Sequence, residues 1–106
     1  MNSTKNNRTV FIVDSPAPPV VTVDNEAQAL YVHFNRRARV AKTKEVLCNR
    51  EGVITVDLDR KGKVVGIEAI GVDSVSIRTL CQKAHVAAPR TDFAETRWQP
   101  AFAATN

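Results

Sequence analysis

Hydrophobic and polar residues alternate most regularly between Val53 and Ile70, where two apolar runs flank the polar connection Arg60-Lys61-Gly62-Lys63. Such alternation is typical of half-buried strands, so this stretch predicts a β-hairpin. Gly62 supplies the positive φ that a tight connection requires. Opposed residues of an antiparallel pair share a face. The register that buries the large side chains pairs Leu58 with Val65, Val56 with Ile67 and Ile54 with Ala69, and it sets Asp57 opposite Gly66.

Weaker alternation predicts further strands before the hairpin. Residues 20–23 and 29–34 form two of them, separated by a polar turn. Residues 39–48 have no purely apolar face, which favours an edge strand protected by lysines or a strand with a bulge. Residues 9–13 are apolar enough for one more strand, but the three prolines within residues 14–19 indicate a stiff linker or a detached edge strand.

The hydrophobic period changes to that of a helix after residue 72. An amphipathic helix is predicted over about residues 75–84, with Asp73 or Ser74 as its cap. The patterns together predict an α+β fold, a small antiparallel β-sheet of about four or five strands in a meander of hairpins, with one C-terminal amphipathic helix packed on it. The predicted core consists of Leu30, Val32, Phe34, Ile54, Val56, Leu58, Val65, Ile67, Ile77 and Leu80.

A chain of 106 residues is long enough for one core. We interpret residues 20–86 as a single small α+β domain. Residues 1–19 are interpreted as a flexible N-terminal segment with the Pro-rich linker, and residues 87–106 as a disordered tail, because neither end has the periodicity of a core segment. The apolar run at residues 10–13 is too short for a signal sequence or a membrane span, so a cytoplasmic location is expected.

The formal net charge of +4 makes the surface mildly basic, which favours acidic partners of any class. Cys48 and Cys81 stand alone, with neither CxxC spacing nor a histidine at ligand spacing. They are therefore predicted to be free thiols, and neither a metal site nor a cofactor is expected.

Several short motifs occur in a recognisable order along the chain. They are Ala29-Leu30-Tyr31-Val32, Asp57-Leu58-Asp59 followed by Gly62, and Gly66-Ile67-Glu68. Over about residues 20–86 the chain resembles the bacterial family known as domain of unknown function 2283. The resemblance implies a compact antiparallel sheet with a helix and no established activity. Some relatives look like the antitoxin half of two-gene toxin and antitoxin modules, which implies a small protein partner encoded nearby.

Positive charge is concentrated in one stretch, at Arg36, Arg37, Arg39, Lys42 and Lys44. These side chains are candidates for binding nucleic acid through its phosphates. No aromatic residues are interleaved among them, so protection of a sheet edge or docking of an acidic protein surface are the alternatives.

A second set of polar residues shares the predicted outer face of the sheet, namely Tyr31, His33, Asp57 and Glu68. Two carboxylates near an imidazole are able to bind a cation or act as acid and base. Alternation alone also produces such a face as a solvated surface. Without a nucleophile paired with a base, we expect no enzymatic activity.

The tail is polar and alanine-rich, yet it contains Phe93, Trp98 and Phe102. It either folds on a partner, with Trp98 as a contact, or packs back on the sheet. The sequence thus favours a non-enzymatic binding protein, an antitoxin-like module for a protein partner, with nucleic-acid binding through Arg36–Lys44 as the alternative. An open sheet edge also allows a homodimer.

Overall fold

The computed structural model describes residues 9–72 and 76–100. Within these ranges the chain forms β1 (Phe11–Ile12), β2 (Val20–Asp24), β3 (Ala29–His33), β4 (Lys42–Asn49), β5 (Gly52–Leu58), β6 (Val64–Ile70), α1 (Ile77–Ala84), β7 (Val86–Ala87) and β8 (Arg97–Pro100). The predicted caps Asp73 and Ser74 lie outside the described residues. The cap that α1 uses is Ser76, whose hydroxyl oxygen accepts a hydrogen bond from the Thr79 N–H at 3.0 Å.

The strands form one mixed sheet of six strands in the order β4-β5-β6-β3-β2-β8, and β1 pairs with β7 in a separate parallel pair. All neighbours in the larger sheet are antiparallel except β2 and β8, which run parallel. The predicted α+β class is confirmed. Three details of that prediction are wrong. The sheet has six strands rather than four or five, and α1 is followed by β7 and β8 rather than being C-terminal, because these two strands are too short to show a period in the sequence. The sheet is also neither wholly antiparallel nor a simple meander, because β3 pairs with β6 and β2 pairs in parallel with β8, contacts between segments distant in sequence.

The hairpin of β5 and β6 carries the predicted register over most of its length. Val56 faces Ile67, Ile54 faces Ala69 and Asp57 faces Gly66. The predicted pairing of Leu58 with Val65 is wrong, because a bulge after Asp57 sets Leu58 opposite Val64. The carbonyl of the extra residue, Val65, accepts hydrogen bonds from the N–H groups of Phe34 and Asn35, which directly follow β3.

The turn of this hairpin explains the bulge. Asp59 Oδ1 accepts hydrogen bonds from the N–H groups of Lys61 and Lys63 at 2.8 and 2.9 Å. Gly62 has a φ of 82°, the positive value that the sequence predicted. The Asp59 carboxylate thus closes the turn around glycine and fixes the point at which β6 begins.

Strand β4 forms one edge of the sheet and carries a bulge between Glu45 and Leu47, as its mixed pattern predicted. It begins at Lys42 rather than at Arg39. Lys42 and Lys44 share a face with the core residues opposite them, and past the bulge Leu47 takes that place opposite Ile54. The first half of this edge is therefore polar on both faces.

The core lies between one face of the sheet and α1. Of the predicted core, Leu30 and Ile77 are only partly buried, and the other eight residues are buried. Buried residues that the sequence did not single out for the core include Val13, Val21, Val64, Ala69, Cys81, Ala84 and Val86.

Both ends of the chain contribute to this packing, in contrast to the division expected from the sequence. Val13 is 0% exposed and belongs to the core, and Pro19 is fully buried. The segment after residue 86 supplies β8, and its Phe93 packs on the core. The folded part of the chain thus extends beyond residues 20–86, because contacts between the two ends replace the missing periodicity.

The burial of Val13 predicts a stability effect at a position outside the regular pattern. We expect Val13→Ala to lower the free energy of unfolding by about 2 kcal/mol, because it leaves a cavity in the core. Val10→Ala is the matched control, since Val10 is 56% exposed. Urea unfolding of both variants provides the test, and an equal small effect for the two would contradict the packing described for Val13.

Candidate functional site

The four polar residues predicted to share a face do so. Tyr31 and His33 lie on β3, Asp57 on β5 and Glu68 on β6, all partly buried on the side of the sheet away from the core. Tyr31 lies directly opposite Glu68. Gly66 lies between His33 and Asp57 in the same row across the sheet.

Tyr31 and Asp57 are joined across the strand that separates them. The Tyr31 hydroxyl donates a hydrogen bond to Asp57 Oδ2 at 2.6 Å, and the Thr43 hydroxyl donates to Oδ1 at 2.6 Å. The Tyr31 ring covers Gly66, and a Cβ built on that glycine would overlap the ring. The phenol reaches Asp57 only because position 66 has no side chain. This row links β3, β5 and β4 over the top of β6.

Burial and neighbouring charges shift the pKa values of Tyr31 and His33. Burial and the hydrogen bond to Asp57 raise the pKa of Tyr31 far above its usual value, so the phenol remains a donor. Burial, with a smaller effect from Arg36, lowers the pKa of His33, which favours a neutral imidazole at neutral pH. His33 Nε2 lies 3.3 Å from Thr22 Oγ1, and the imidazole centroid lies 4.5 Å from that of Tyr31.

These contacts indicate what the polar face does. Both oxygens of Asp57 accept short hydrogen bonds, and the donor from Tyr31 does not titrate near neutral pH. In residues 9–72 and 76–100, no three His, Cys, Asp or Glu side chains form a group suited to hold a metal ion. The row therefore ties β3, β5 and β4 together across β6, and hydrogen bonds within the protein occupy both carboxylate oxygens of Asp57.

The predicted basic stretch is divided between a loop and an edge strand. Arg36, Arg37 and Arg39 lie in the loop before β4, and Lys42 and Lys44 lie on β4. All five are exposed, and none forms an ion pair with any carboxylate in the described part of the chain. The stretch therefore presents five accessible cations, three in the loop between β3 and β4 and two on the edge strand.

Trp98 borders a different surface. Its side chain is 55% exposed, at the rim of a groove of about 650 Å³ between α1, β7 and the segment that leads into β8. Most of the groove is apolar, with contributions from Ile77, Val86 and Phe93. Large exposed aromatic side chains beside apolar concavities are typical of binding sites.

Hydrogen bonds to the proline-rich linker hold Trp98 at this rim. The carbonyl of Pro16 accepts from the Asp92 N–H at 3.3 Å, and the carbonyl of Pro19 accepts from the Arg97 N–H at 3.1 Å. Phe93 contacts Phe34 edge to face, with centroids 6.3 Å apart. Of the two alternatives for the tail, residues 97–100 pack back on the sheet, yet the Trp98 side chain stays half exposed.

The helix supplies Arg78 and Cys81 to the same groove. Cys81 is 8% exposed, and burial raises the pKa of its thiol to about 11, so it remains uncharged. Cys48 is exposed, and both thiols are free, as predicted. Sequence reasoning did not identify Arg78 or Thr43 as site residues. Nothing in the local pattern distinguishes Arg78 from other surface cations, whereas Thr43 was identifiable only from the register of β4 on β5.

The fold defines a small α+β protein whose sheet is covered by one helix. Residues 21–72 match the model of a family described as a protein of unknown function (DUF2283). The predicted resemblance is thus confirmed over just under half of the chain, although the match ends before α1. None of the curated proteins and none of the solved structures compared with the chain matches it. The matched segment contains the hydrogen-bonded residues Tyr31, Thr43 and Asp57 and the cations between Arg36 and Lys44. The residues that line the groove lie after it, between Ser76 and Trp98.

Within residues 9–72 and 76–100, no helix is long and apolar enough to cross a membrane.

The contact between Tyr31 and Gly66 predicts a non-additive pair of substitutions. We expect Gly66→Ala to destabilise the protein by about 2 kcal/mol, because the new methyl group displaces the ring. In a Tyr31→Ala background the same change should cost far less, since the three atoms that lie closest to the added methyl group all belong to the Tyr31 side chain. Tyr31→Phe, which removes only the hydroxyl, should cost about 1–2 kcal/mol. Urea unfolding measures the cycle, and additive effects of Gly66→Ala and Tyr31→Ala would contradict the ring's position.

Proposed function

We propose that this protein is a non-enzymatic binding module that captures a small protein partner through the groove bordered by Trp98. The observation that carries the proposal is the half-exposed Trp98 over an apolar concavity. A tryptophan of this kind is costly to leave in water and is enriched among residues that dominate binding energy. Its backbone is fixed in β8, so little conformational freedom is lost when a partner covers it.

The polar row is less suited to be the interface. Its shortest hydrogen bonds are made within the protein, between Asp57 and the hydroxyls of Tyr31 and Thr43. A partner would have to compete for those groups. The groove offers apolar surface instead, which gains free energy when water is removed from it.

Nucleic-acid binding through Arg36–Lys44 is the second candidate. Its support is that these five cations are exposed and have no ion-pair partners among the described residues. Against it, residues 36–44 include no aromatic side chain on which a base could stack. Lys42 and Lys44 also have another role, since they protect the edge of β4 from pairing with another strand. That protection makes a homodimer through this edge the less favoured mode of association.

We further propose that the partner is encoded by a neighbouring gene and that both proteins are cytoplasmic. Free thiols at Cys48 and Cys81 suit a reducing compartment. We expect the partner to place a short segment in the groove, because a concavity of about 650 Å³ accommodates a segment rather than a domain.

Co-expression with the neighbouring reading frames tests this function. The tagged protein should purify in a stoichiometric complex with one neighbour, and the complex should re-form from the two purified proteins. Trp98→Ala should weaken binding at least tenfold, about 1.4 kcal/mol, as expected for a central aromatic contact. The control Lys42→Gln/Lys44→Gln should bind as well as the unmodified protein.

Two outcomes would overturn the proposal. One is a complex that Trp98→Ala leaves unchanged. The other is co-purification of nucleic acid in place of a protein, lost with Lys42→Gln/Lys44→Gln and with rising salt, which would support the second candidate.

A further inference from the structure

We infer that the groove recognises an acidic amphipathic segment of the partner, one that inserts a large apolar side chain and places a carboxylate on Arg78. This inference rests on the proposed function and specifies the chemistry of the partner. The apolar side chain and the carboxylate must lie within about one helical turn, or a few extended residues, of each other in the partner's segment.

The apolar part of the segment is determined by the groove's walls. Ile77 and Phe93 are partly buried there, Val86 is buried, and Trp98 forms the rim. The volume of about 650 Å³ is large enough for an aromatic or branched aliphatic side chain with its neighbours. The Cys81 thiol in the wall is uncharged, so the interior presents no charge to such a side chain.

Arg78 is the reason to expect a carboxylate in the partner's segment. Among the described residues that line the groove, Arg78 has the only ionised side chain. It forms no ion pair with a carboxylate in residues 9–72 or 76–100. Two other cations do form ion pairs. Lys83 Nζ lies 4.0 Å from Glu51 Oε1, and Arg90 Nη1 lies 3.9 Å from Asp14 Oδ1. A guanidinium beside apolar surface is well suited to pair with a carboxylate through two hydrogen bonds.

The charge of the whole chain favours the same kind of partner. The formal net charge is +4. An acidic segment is attracted from a distance by this field and repelled by none of the groove's own side chains. A purely apolar segment would fill the groove but offer no carboxylate to Arg78, which has no ion-pair partner within residues 9–72 and 76–100.

Trp98 makes the test direct, because it is the one tryptophan of the chain and borders the groove. The probe is a short synthetic amphipathic peptide with leucine and phenylalanine on one face and glutamate on the other, titrated while Trp98 emission is recorded. The matched peptide has glutamine at every glutamate. The protein variants are Arg78→Gln and the control Arg97→Gln, since Arg97 adjoins Trp98 on β8 but faces the other side of the sheet.

The glutamate peptide should shift Trp98 emission to the blue, and Arg78→Gln should weaken its binding about tenfold, while Arg97→Gln leaves it within about twofold. The glutamine peptide should bind both the unmodified protein and Arg78→Gln with the same reduced affinity. Equal affinity of the two peptides, or no effect of Arg78→Gln, would overturn the inference.

Two other occupants of the groove appear as distinct outcomes. Emission that changes with protein concentration would indicate a second copy, and emission altered by Phe102→Ala would indicate the chain's own C-terminal residues; either result would overturn the inference. A protein partner that depends on Trp98 but not on Arg78 would overturn the inference and leave the proposed function in place. The reverse case, a peptide response without any protein partner, would count against the proposed function alone.

Discussion

The arrangement depends on how the C-terminal segment is held against the proline-rich linker. Prolines lack an N–H but keep a carbonyl acceptor, and here the carbonyls of Pro16 and Pro19 receive the N–H groups of Asp92 and Arg97. Thr91 adds a hydroxyl hydrogen bond to the carbonyl of Ser15 at 2.9 Å. These contacts align β8 beside β2, close the groove on α1 and hold Trp98 at its rim. Without them the sheet would end at β2 and the groove would have no outer wall.

The two faces of the sheet are stabilised by different interactions. One face packs on α1 and buries the aliphatic residues of β5 and β6. On the other face, the row from Thr43 through Asp57 to Tyr31 links strands that are not neighbours, which the absence of a side chain at Gly66 makes possible. The groove lies on the opposite side of the sheet from this polar face.

The sequence predicted much of this fold, and the failures have physical causes. The hairpin register followed from alternation up to Leu58, where the Asp59 carboxylate sets a turn and a bulge that no period reveals. Tyr31 and Asp57 were predicted to share a face, but their contact depends on a reach across Gly66. Trp98 was identified as unusual, whereas the groove was not, because its wall at Trp98 depends on the parallel pairing of β2 with β8, strands distant in sequence. Arg78 was missed because nothing in the local pattern distinguishes it from other surface cations.

The central claim is that β8 is docked on β2 in the free protein and presents a preformed groove. Nuclear Overhauser effects in the isolated full chain test it most directly. The account predicts cross-strand contacts between Val21 and Trp98, which face each other in the parallel pair, together with a contact between the rings of Phe34 and Phe93. Absence of both contacts, with random-coil chemical shifts for residues 97–100, would contradict the account.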